Sequence, residues 1–252
     1  MSPPKLASRS LRRRAMAAAF VSSGLLGSPA TADNRYLEIP PPQEAEETPA
    51  FAVANLSNAE AFAELDRRRI PYRREPGPVP GVRAPIRLTG AIRGIHIHSS
   101  LPEEERAQTP FEILDARLAL ALDELCKILA VHDVVELVHF TMYRPAGTRT
   151  DDSGPPQTRH PGGMAIDLGA LRKRNGDWLS VGPHWEASIG SRSCGSDGRK
   201  LKPRRGRELI SILCEAADQR IFHYMLSPHF DEAHNDHLHL EIKPGVRWFL
   251  VN

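Results

Sequence analysis

Apolar and polar residues alternate most regularly in HLHLEI, the segment at 237–242. As a strand, this segment places His237, His239 and Glu241 on one face and three aliphatic side chains on the other. Other apolar runs predict three further strands, at 86–98, 134–143 and 164–168, and two long helices, at 111–130 and 207–220. Strands and helices in this order, with polar residues gathered at strand ends and loops, predict the α+β fold class.

The first third of the chain predicts one short helix between irregular stretches. Ser57 fits the N-cap of SNAEAFAELDRRRI, and Glu60 completes a capping box. The Pro- and Glu-rich stretch at 33–51 is interpreted as a linker that cannot pack a core, and REPGPVPGVRAP at 74–85 as a rigid turn region. With 252 residues and 40% hydrophobic content, the chain can bury one full core, which we expect at 52–252.

The N-terminal segment has the order of an export signal. The basic run RRR at 12–14 precedes an apolar stretch at 15–27 and the small-residue sequence ATA at 30–32. Residues 1–32 are therefore interpreted as a signal peptide, and the mature protein as periplasmic or secreted, without stable membrane insertion after cleavage. The paired arginines leave twin-arginine export open beside the general secretory route, although the rest of that motif is imperfect.

Export gives the three cysteines a context in which a disulfide can form. Cys126 lies on a leucine stripe with helical spacing, which favours a buried free thiol. Cys194, in a Gly- and Ser-rich loop, and Cys214, in a predicted helix, are the favoured pair. Spacing alone does not determine the connectivity, so the other pairings stay open.

The net charge and the absence of several standard motifs argue against several classes of function. The net charge of +2 favours no particular partner, and the basic run RKLKPRRGR at 199–207 is interpreted as a solvated loop. The chain has no GxGxxG, P-loop or nucleophile-elbow pattern, so neither nucleotide binding nor serine hydrolysis is predicted. We expect no nucleic-acid partner.

Two motifs together predict a metal site. The segment SPHFDEAHNDHLHLEI at 227–242 contains four histidines among acidic residues. If this segment were only the polar surface of a strand, that role would have to account for several imidazoles at once, each of which is costly to bury without a partner. Upstream, TRHPGGMAIDLGA carries His160 and, seven residues later, Asp167, with a Gly-Gly turn between them. Imidazole and carboxylate are ordinary Zn²⁺ ligands, and a third ligand from HLH would leave one position open for water.

Both motifs resemble those of a known family. RHPGGMAIDL is similar to the H-x-x-G-x-A-x-D segment of the LAS-type zinc peptidases, which include D-alanyl-D-alanine carboxypeptidases, murein endopeptidases and hedgehog-like domains. LSPHFDEAHNDHLHLEI more closely resembles bacterial extensin-like C-terminal domain proteins, a branch of that group. The resemblance extends over about residues 60–250. It implies a small antiparallel sheet with flanking helices and a zinc cleft, in an extensin-like metallopeptidase domain at 52–252.

The resemblance also implies roles for individual residues. The implied zinc ligands are His160, Asp167 and His239. His237 takes the place of the family's general base. His234 matches an additional active-site histidine of the murein endopeptidases, although a purely orienting role remains open for it.

Further residues around the motifs have implied supporting roles. Arg144, in the segment YRP, falls where the family has an arginine that meets the substrate carbonyl or the oxyanion. A simple salt bridge is the alternative for this arginine. Thr158 stands where relatives often have serine, and its hydroxyl can do similar work. Asp236 and Glu241 are expected to orient the neighbouring imidazoles or tune their basicity.

The remaining histidines have weaker signals. His96 and His98 share a face of the alternating segment GIHIHSS, and we expect them on the sheet surface at the edge of the cleft. His229 follows a proline and is expected to line the cleft.

The function implied is that of an exported zinc-dependent peptidase or amidase that cleaves peptidoglycan stem peptides or their cross-links. Two alternatives remain: a non-catalytic, metal-stabilised module that binds the cell wall, and a structural protein whose histidines bind adventitious metal. His237 and His234, beside the implied ligands, favour catalysis, because a purely structural zinc site is usually closed by four protein ligands. The scissile bond (D,D or L,D; endo- or carboxypeptidase) and the oligomeric state stay open.

Overall fold

The computed structural model describes residues 36–145 and 159–252. The predicted signal peptide at 1–32 and the position of Thr158 lie outside the described residues. The described residues belong to one unit of the chain, which runs from Arg35 to Asn252.

The described residues alternate between helices and mostly short strands. The helices are α1 (Pro42–Glu46), α2 (Pro49–Ala54), α3 (Asn58–Arg68), α4 (Glu103–Arg106), α5 (Ala116–Val131), α6 (Val181–His184) and α7 (Arg204–Asp218). The strands are β1 (Leu37–Glu38), β2 (Tyr72–Arg74), β3 (Pro85–Leu88), β4 (His96–Ser99), β5 (Leu114–Asp115), β6 (Val134–His139), β7 (Ala165–Lys173), β8 (Trp178–Ser180), β9 (Tyr224–Leu226), β10 (Leu238–Glu241) and β11 (Phe249–Val251).

Two sheets organise these strands. The larger sheet has the order β1-β11-β9-β10-β7-β6-β4, with β8 paired to β7, and the smaller one has the order β2-β3-β5. Pairing is antiparallel except between β4 and β6 and between β9 and β11. The α+β class is confirmed, but the main sheet is larger than predicted and mixed. Its extra strands are only two or three residues long, too short for alternation to reveal.

The predicted elements differ from the observed ones mainly at turns. The strand expected at 86–98 is divided into β3 and β4, because Arg93 and Gly94 adopt positive φ angles of 50° and 79° in a turn. The strand expected at 164–168 continues to Lys173. The helix expected from residue 111 begins only at Ala116, where the side chain of Asp115 caps it. The capping box of Ser57 is confirmed.

Helix α5 forms the centre of the apolar core. Twelve of its residues are buried, because packing against α2, α3, α7 and β6 covers several of its faces. Cys126 on this helix is buried and free, and burial raises the pKa of its thiol. Cys194 and Cys214 form a disulfide that ties a loop to α7. Both cysteine predictions are confirmed.

The Pro- and Glu-rich stretch is more ordered than its composition predicts. Its described part contains β1, which pairs with β11, then α1 and the start of α2, and Ala45 and Ala50 are completely buried. The backbone N–H of Ala50 donates to the carbonyl of Arg220 at 3.1 Å, and the Thr48 hydroxyl caps α2. The expected linker is therefore part of the packed fold from Pro42 onwards, since small alanines allow its helices to pack closely.

Candidate metal centre and its cavity

A tight turn positions His160 and Asp167. His160 opens a 3₁₀ turn that ends at Gly163, and Asp167 lies on β7. Gly163 has a φ of 62°, and a Cβ there would lie 2.8 Å from the backbone nitrogen of Asp115. Only glycine fits this close approach. The Gly-Gly turn in the sequence therefore folds His160 back over the strand that carries the carboxylate.

Strand pairing brings His239 to the same point. In the antiparallel ladder between β7 and β10, His239 lies directly opposite Asp167. The Oδ1 atom of Asp167 is 3.0 Å from Nε2 of His160 and 3.1 Å from Nδ1 of His239. The two imidazole nitrogens are 3.3 Å apart. All three side chains are buried, and their ligand atoms lie within 4.8 Å of one another, so this group can hold a metal ion.

The outward-facing nitrogen of each imidazole in this group has its own acceptor. Nδ1 of His160 is 3.4 Å from the carbonyl oxygen of Met142, and Nε2 of His239 is 3.3 Å from Oε2 of Glu241. When a metal is bound, a proton on the outer nitrogen leaves each ring an unprotonated inner nitrogen for the ion, as metal binding requires. Without a metal, the inner nitrogens can carry a proton and donate to Asp167. The expected orienting role of Glu241 therefore has a matching contact.

Electrostatics keep the carboxylate of this group ionised. Burial opposes its charge, but hydrogen bonds from His160 and His239 hold the pKa of Asp167 well below its usual value. Burial likewise opposes protonation of His239, but Asp167 and Glu241 raise its pKa. The carboxylate is thus available as a ligand over the whole physiological pH range.

Two more histidines face the metal group. Nε2 of His237 is 3.4 Å from Oδ1 of Asp167, and its Nδ1 is 2.8 Å from Oδ1 of Asp236. Nδ1 of His234 is 2.6 Å from Oδ1 of Asp231, and its ring centroid lies 5.2 Å from that of His237. Each of the two rings is therefore oriented by its own aspartate.

The group forms the floor of an open cavity of about 820 Å³. The six residues predicted as metal ligands or catalytic side chains all line it: Arg144, His160, Asp167, His234, His237 and His239. Arg144 stands at the rim, with its side chain 58% exposed and its Nη2 atom 3.6 Å from Oδ2 of Asp167. The cavity thus combines a buried metal-type group with solvent-accessible histidine and arginine side chains.

Other lining residues were not predicted from the sequence, chiefly Arg159, Tyr224, Phe230 and Asp231. Arg159 is the neighbour of His160 in RHPGG, so its position beside a candidate ligand was the available signal. Tyr224 lies on β9, a strand of three residues without a recognisable pattern.

Three other histidines, His96, His98 and His229, lie outside the cavity that holds the candidate metal group. His96 and His98 lie on β4, separated from β10 by β6 and β7, and they line a second cavity of about 510 Å³. The expectation that they lie at the cleft edge was wrong. His229 does not line the cleft either: it is completely buried against Trp185, and its Nδ1 accepts a hydrogen bond from the Ser188 backbone N–H at 3.0 Å. Its place after a proline did not reveal this packing.

A family model described as Extensin-like protein C-terminus matches residues 67–249. The matched range includes every residue that lines the cavity except Leu250. Comparisons with curated proteins and with solved structures found no match. In the residues that the structure describes, no helix is both long enough and apolar enough to span a membrane.

Proposed function

Because this chain belongs to the family of extensin-like protein C-termini, we propose that it is an exported zinc-dependent peptidase or amidase. Its proposed substrates are peptidoglycan stem peptides or their cross-links, as for the LAS-type zinc peptidases that its motifs resemble. One observation carries the proposal: two imidazoles and a carboxylate converge at the floor of an open cavity, with His234 and His237 beside them.

The donor set fits zinc. Two histidine nitrogens and one carboxylate oxygen are a common protein ligand set for catalytic zinc, which keeps a further position open. The acceptors behind His160 and His239 favour the tautomers that such a site needs. When bound there, zinc would supply a Lewis acid that polarises the scissile carbonyl and lowers the pKa of water.

His237 is the proposed general base. Its Nδ1 faces Asp236 at 2.8 Å, so this nitrogen carries the proton and Nε2 is left as the acceptor. Nε2 is also the atom directed towards the metal group, at 3.4 Å from Asp167. It therefore takes the proton of the attacking water and returns it to the leaving amine, the usual contribution of a positioned imidazole.

His234 and Arg144 complete the proposed machinery. The ring centroid of His234, which Asp231 fixes, lies 5.2 Å from that of His237 and 5.8 Å from that of His239, so His234 can orient or assist both rings. Arg144 presents a permanent positive charge at the rim, where its N–H groups stabilise the developing oxyanion. Removing one such donor typically costs about 3 kcal/mol of transition-state stabilisation.

The experiment combines zinc content with muropeptide turnover. Purified protein should contain about one zinc per chain. His239→Ala and Asp167→Ala should lose both zinc and activity. His237→Ala should retain zinc but cleave about a hundredfold more slowly or worse, the scale of a lost general base. His96→Ala, a histidine outside the cavity, is the matched control and should behave as wild type.

Two outcomes would contradict the proposal in different ways. Full zinc content in both Asp167→Ala and His239→Ala would overturn the ligand set. Wild-type protein that contains zinc and binds sacculi, but cleaves no muropeptide between about pH 5 and 9, would replace the peptidase with a cell-wall-binding module.

A further inference from the structure

The rim of the cavity carries a second guanidinium, that of Arg159, which the proposed mechanism does not use. Its Nε atom lies 3.5 Å from Oε2 of Glu241, and its side chain is 62% exposed. Its Cζ atom lies 5.8 Å from the ring centroid of Tyr224, which also lines the cavity. The 3.5 Å separation is longer than a good hydrogen bond. In the described residues this long ion pair is the only salt bridge of the guanidinium, which otherwise faces the rim and solvent.

The backbone of Arg159 is strained. Its φ of 58° and ψ of −149° lie close to a region that is essentially reserved for glycine. Its carbonyl accepts hydrogen bonds from the backbone N–H groups of Gly162 at 3.1 Å and Met164 at 2.9 Å, and these hold the conformation. Glycine would be the unstrained residue here. An arginine at such a position points to a use for its side chain.

The charges in the cavity leave this guanidinium available for a ligand. Among the described lining residues, the acidic side chains already face histidines: Asp167 faces the metal ligands, Asp231 faces His234, and Glu241 faces His239. Arg144 approaches Asp167, whereas Arg159 approaches Glu241. The cavity therefore presents two guanidinium groups beside the proposed reaction centre, each next to a different carboxylate.

We propose that Arg159 binds a free carboxylate of the substrate next to the scissile bond. This inference rests on the proposed peptidase function and narrows its substrate class to peptides with an ionised carboxylate on the leaving side. The carboxylate can be the C-terminus of a linear stem peptide or the free carboxylate of a diamino acid in a cross-link. Arginine suits this task because its planar fork binds carboxylates through two parallel hydrogen bonds.

One substrate residue is long enough to reach from the proposed metal group to the guanidinium of Arg159. Oε2 of Glu241 is 3.5 Å from Nε of Arg159 and 3.3 Å from Nε2 of His239. The carboxylate of Glu241 therefore contacts both the guanidinium of Arg159 and His239, a proposed metal ligand. Because consecutive Cα atoms are about 3.8 Å apart, the residue that follows the scissile bond can extend from the metal group towards the rim.

The test compares peptides that differ only in this charge. One pair is an N-acetylated peptide ending in Lys-D-Ala-D-Ala, with either a free C-terminal carboxylate or a C-terminal amide. A second pair is a cross-linked muropeptide whose diamino acid carboxylate is either free or amidated. Wild type should prefer the carboxylate member of at least one pair in kcat/KM, and the pair that responds identifies the source of the carboxylate.

Changing Arg159 should reduce this preference. In Arg159→Ala the carboxylate-to-amide ratio of kcat/KM should fall about 10- to 100-fold, mainly through KM, because a hydrogen bond to a charged group is lost. Arg247→Ala is the matched control, since Arg247 is an exposed arginine paired with Glu46 outside the cavity. Its ratio should equal that of wild type. An unchanged ratio in Arg159→Ala would overturn the proposal.

Arg159→Gly separates a binding role from a structural one. Glycine relieves the backbone strain, so this variant should unfold at a temperature no lower than wild type while losing the carboxylate preference. A variant that loses stability but keeps the preference would refute the inference.

Calorimetry with zinc-loaded protein distinguishes a failure of this inference from a failure of the peptidase proposal. If wild type cleaves neither pair but binds a carboxylate peptide about tenfold or more tightly than its amide, and Arg159→Gly abolishes the difference, the carboxylate site stands without the peptidase. Equal binding of carboxylate and amide would overturn the carboxylate site.

Discussion

Glu241 offers the sharpest test of the proposed zinc site, because it touches a proposed ligand without being one. Its side chain is completely buried, its Oε2 atom is 3.3 Å from Nε2 of His239, and its Oε1 atom has no partner in the described part of the chain. Glu241→Gln keeps the size of the side chain and removes its charge. We expect zinc affinity and the stability of the zinc-free protein to respond differently to this change.

Zinc affinity should fall about tenfold. Losing the acceptor behind a metal-bound histidine typically costs 10- to 100-fold in affinity, and the 3.3 Å contact is long, which favours the lower end of that range. Tenfold corresponds to about 1.4 kcal/mol. The amide oxygen of glutamine can still accept from His239, but it lacks the negative charge that makes the imidazole a better ligand.

The zinc-free protein should be no less stable than wild type. A buried charge costs several kcal/mol in desolvation unless it is well paired. Apart from the imidazole of His239, the only cationic side chain that pairs with Glu241 in the described residues is Arg159, at 3.5 Å and 62% exposed. After Glu241→Gln that arginine remains solvated, so no charge is left buried and unpaired.

The assay measures both quantities in the same preparations. Competition with a chromophoric chelator near neutral pH gives the zinc dissociation constant, and denaturant titration of the zinc-free protein gives the free energy of unfolding. Glu136→Gln is the matched control, because Glu136 contacts His98 at 2.9 Å outside the cavity. It should leave zinc affinity unchanged. Unaltered zinc affinity in Glu241→Gln, or an equal loss of affinity and stability, would refute the reasoning.

Three further predictions concern the disulfide, acid stability and export. Replacing both Cys194 and Cys214 with serine should lower the free energy of unfolding by about 3 kcal/mol, because they are 20 residues apart in sequence; an unchanged denaturation midpoint would contradict this. Burial lowers the pKa values of His223 and His229 to about 4, so the unfolded chain takes up protons first as the pH falls. The free energy of unfolding should therefore fall between about pH 6.5 and 4, by roughly 3 kcal/mol per histidine. In acid titrations, the two His→Gln variants should show a smaller fall than wild type. A reporter fused to residues 1–40 should be exported and cleaved after Ala32, whereas a mature N-terminus at Met1 on N-terminal sequencing would reject the signal peptide.

The features that could be predicted from the sequence depend on close neighbours along the chain. Ser57 and Glu60 are three residues apart, and both bonds of their capping box are present. The alternation in HLHLEI correctly placed His237, His239 and Glu241 on one face, since all three line the cavity. A strand's alternation follows from the backbone itself, whatever the strand is paired with.

The contacts that no local pattern predicts depend on residues far apart in the chain, and the ligand group itself was expected only from the resemblance to a family. His239 meets Asp167, 72 residues away, only because β10 pairs with β7 in one register, and a shift by one residue would turn His239 to the other face of the sheet. The misplacement of His96 and His98 has the same origin, since their own alternation does not reveal how many strands separate them from β10.

The sequence by itself therefore determined which side chains are available for metal chemistry and on which face of each element they lie. The tertiary structure decided which of them meet, that His229 is buried against Trp185, and that Arg159 stands beside Glu241 at the rim. The physical reason is that periodicity and turn chemistry act over a few residues. Strand register and packing, in contrast, are determined by the burial of the whole apolar core.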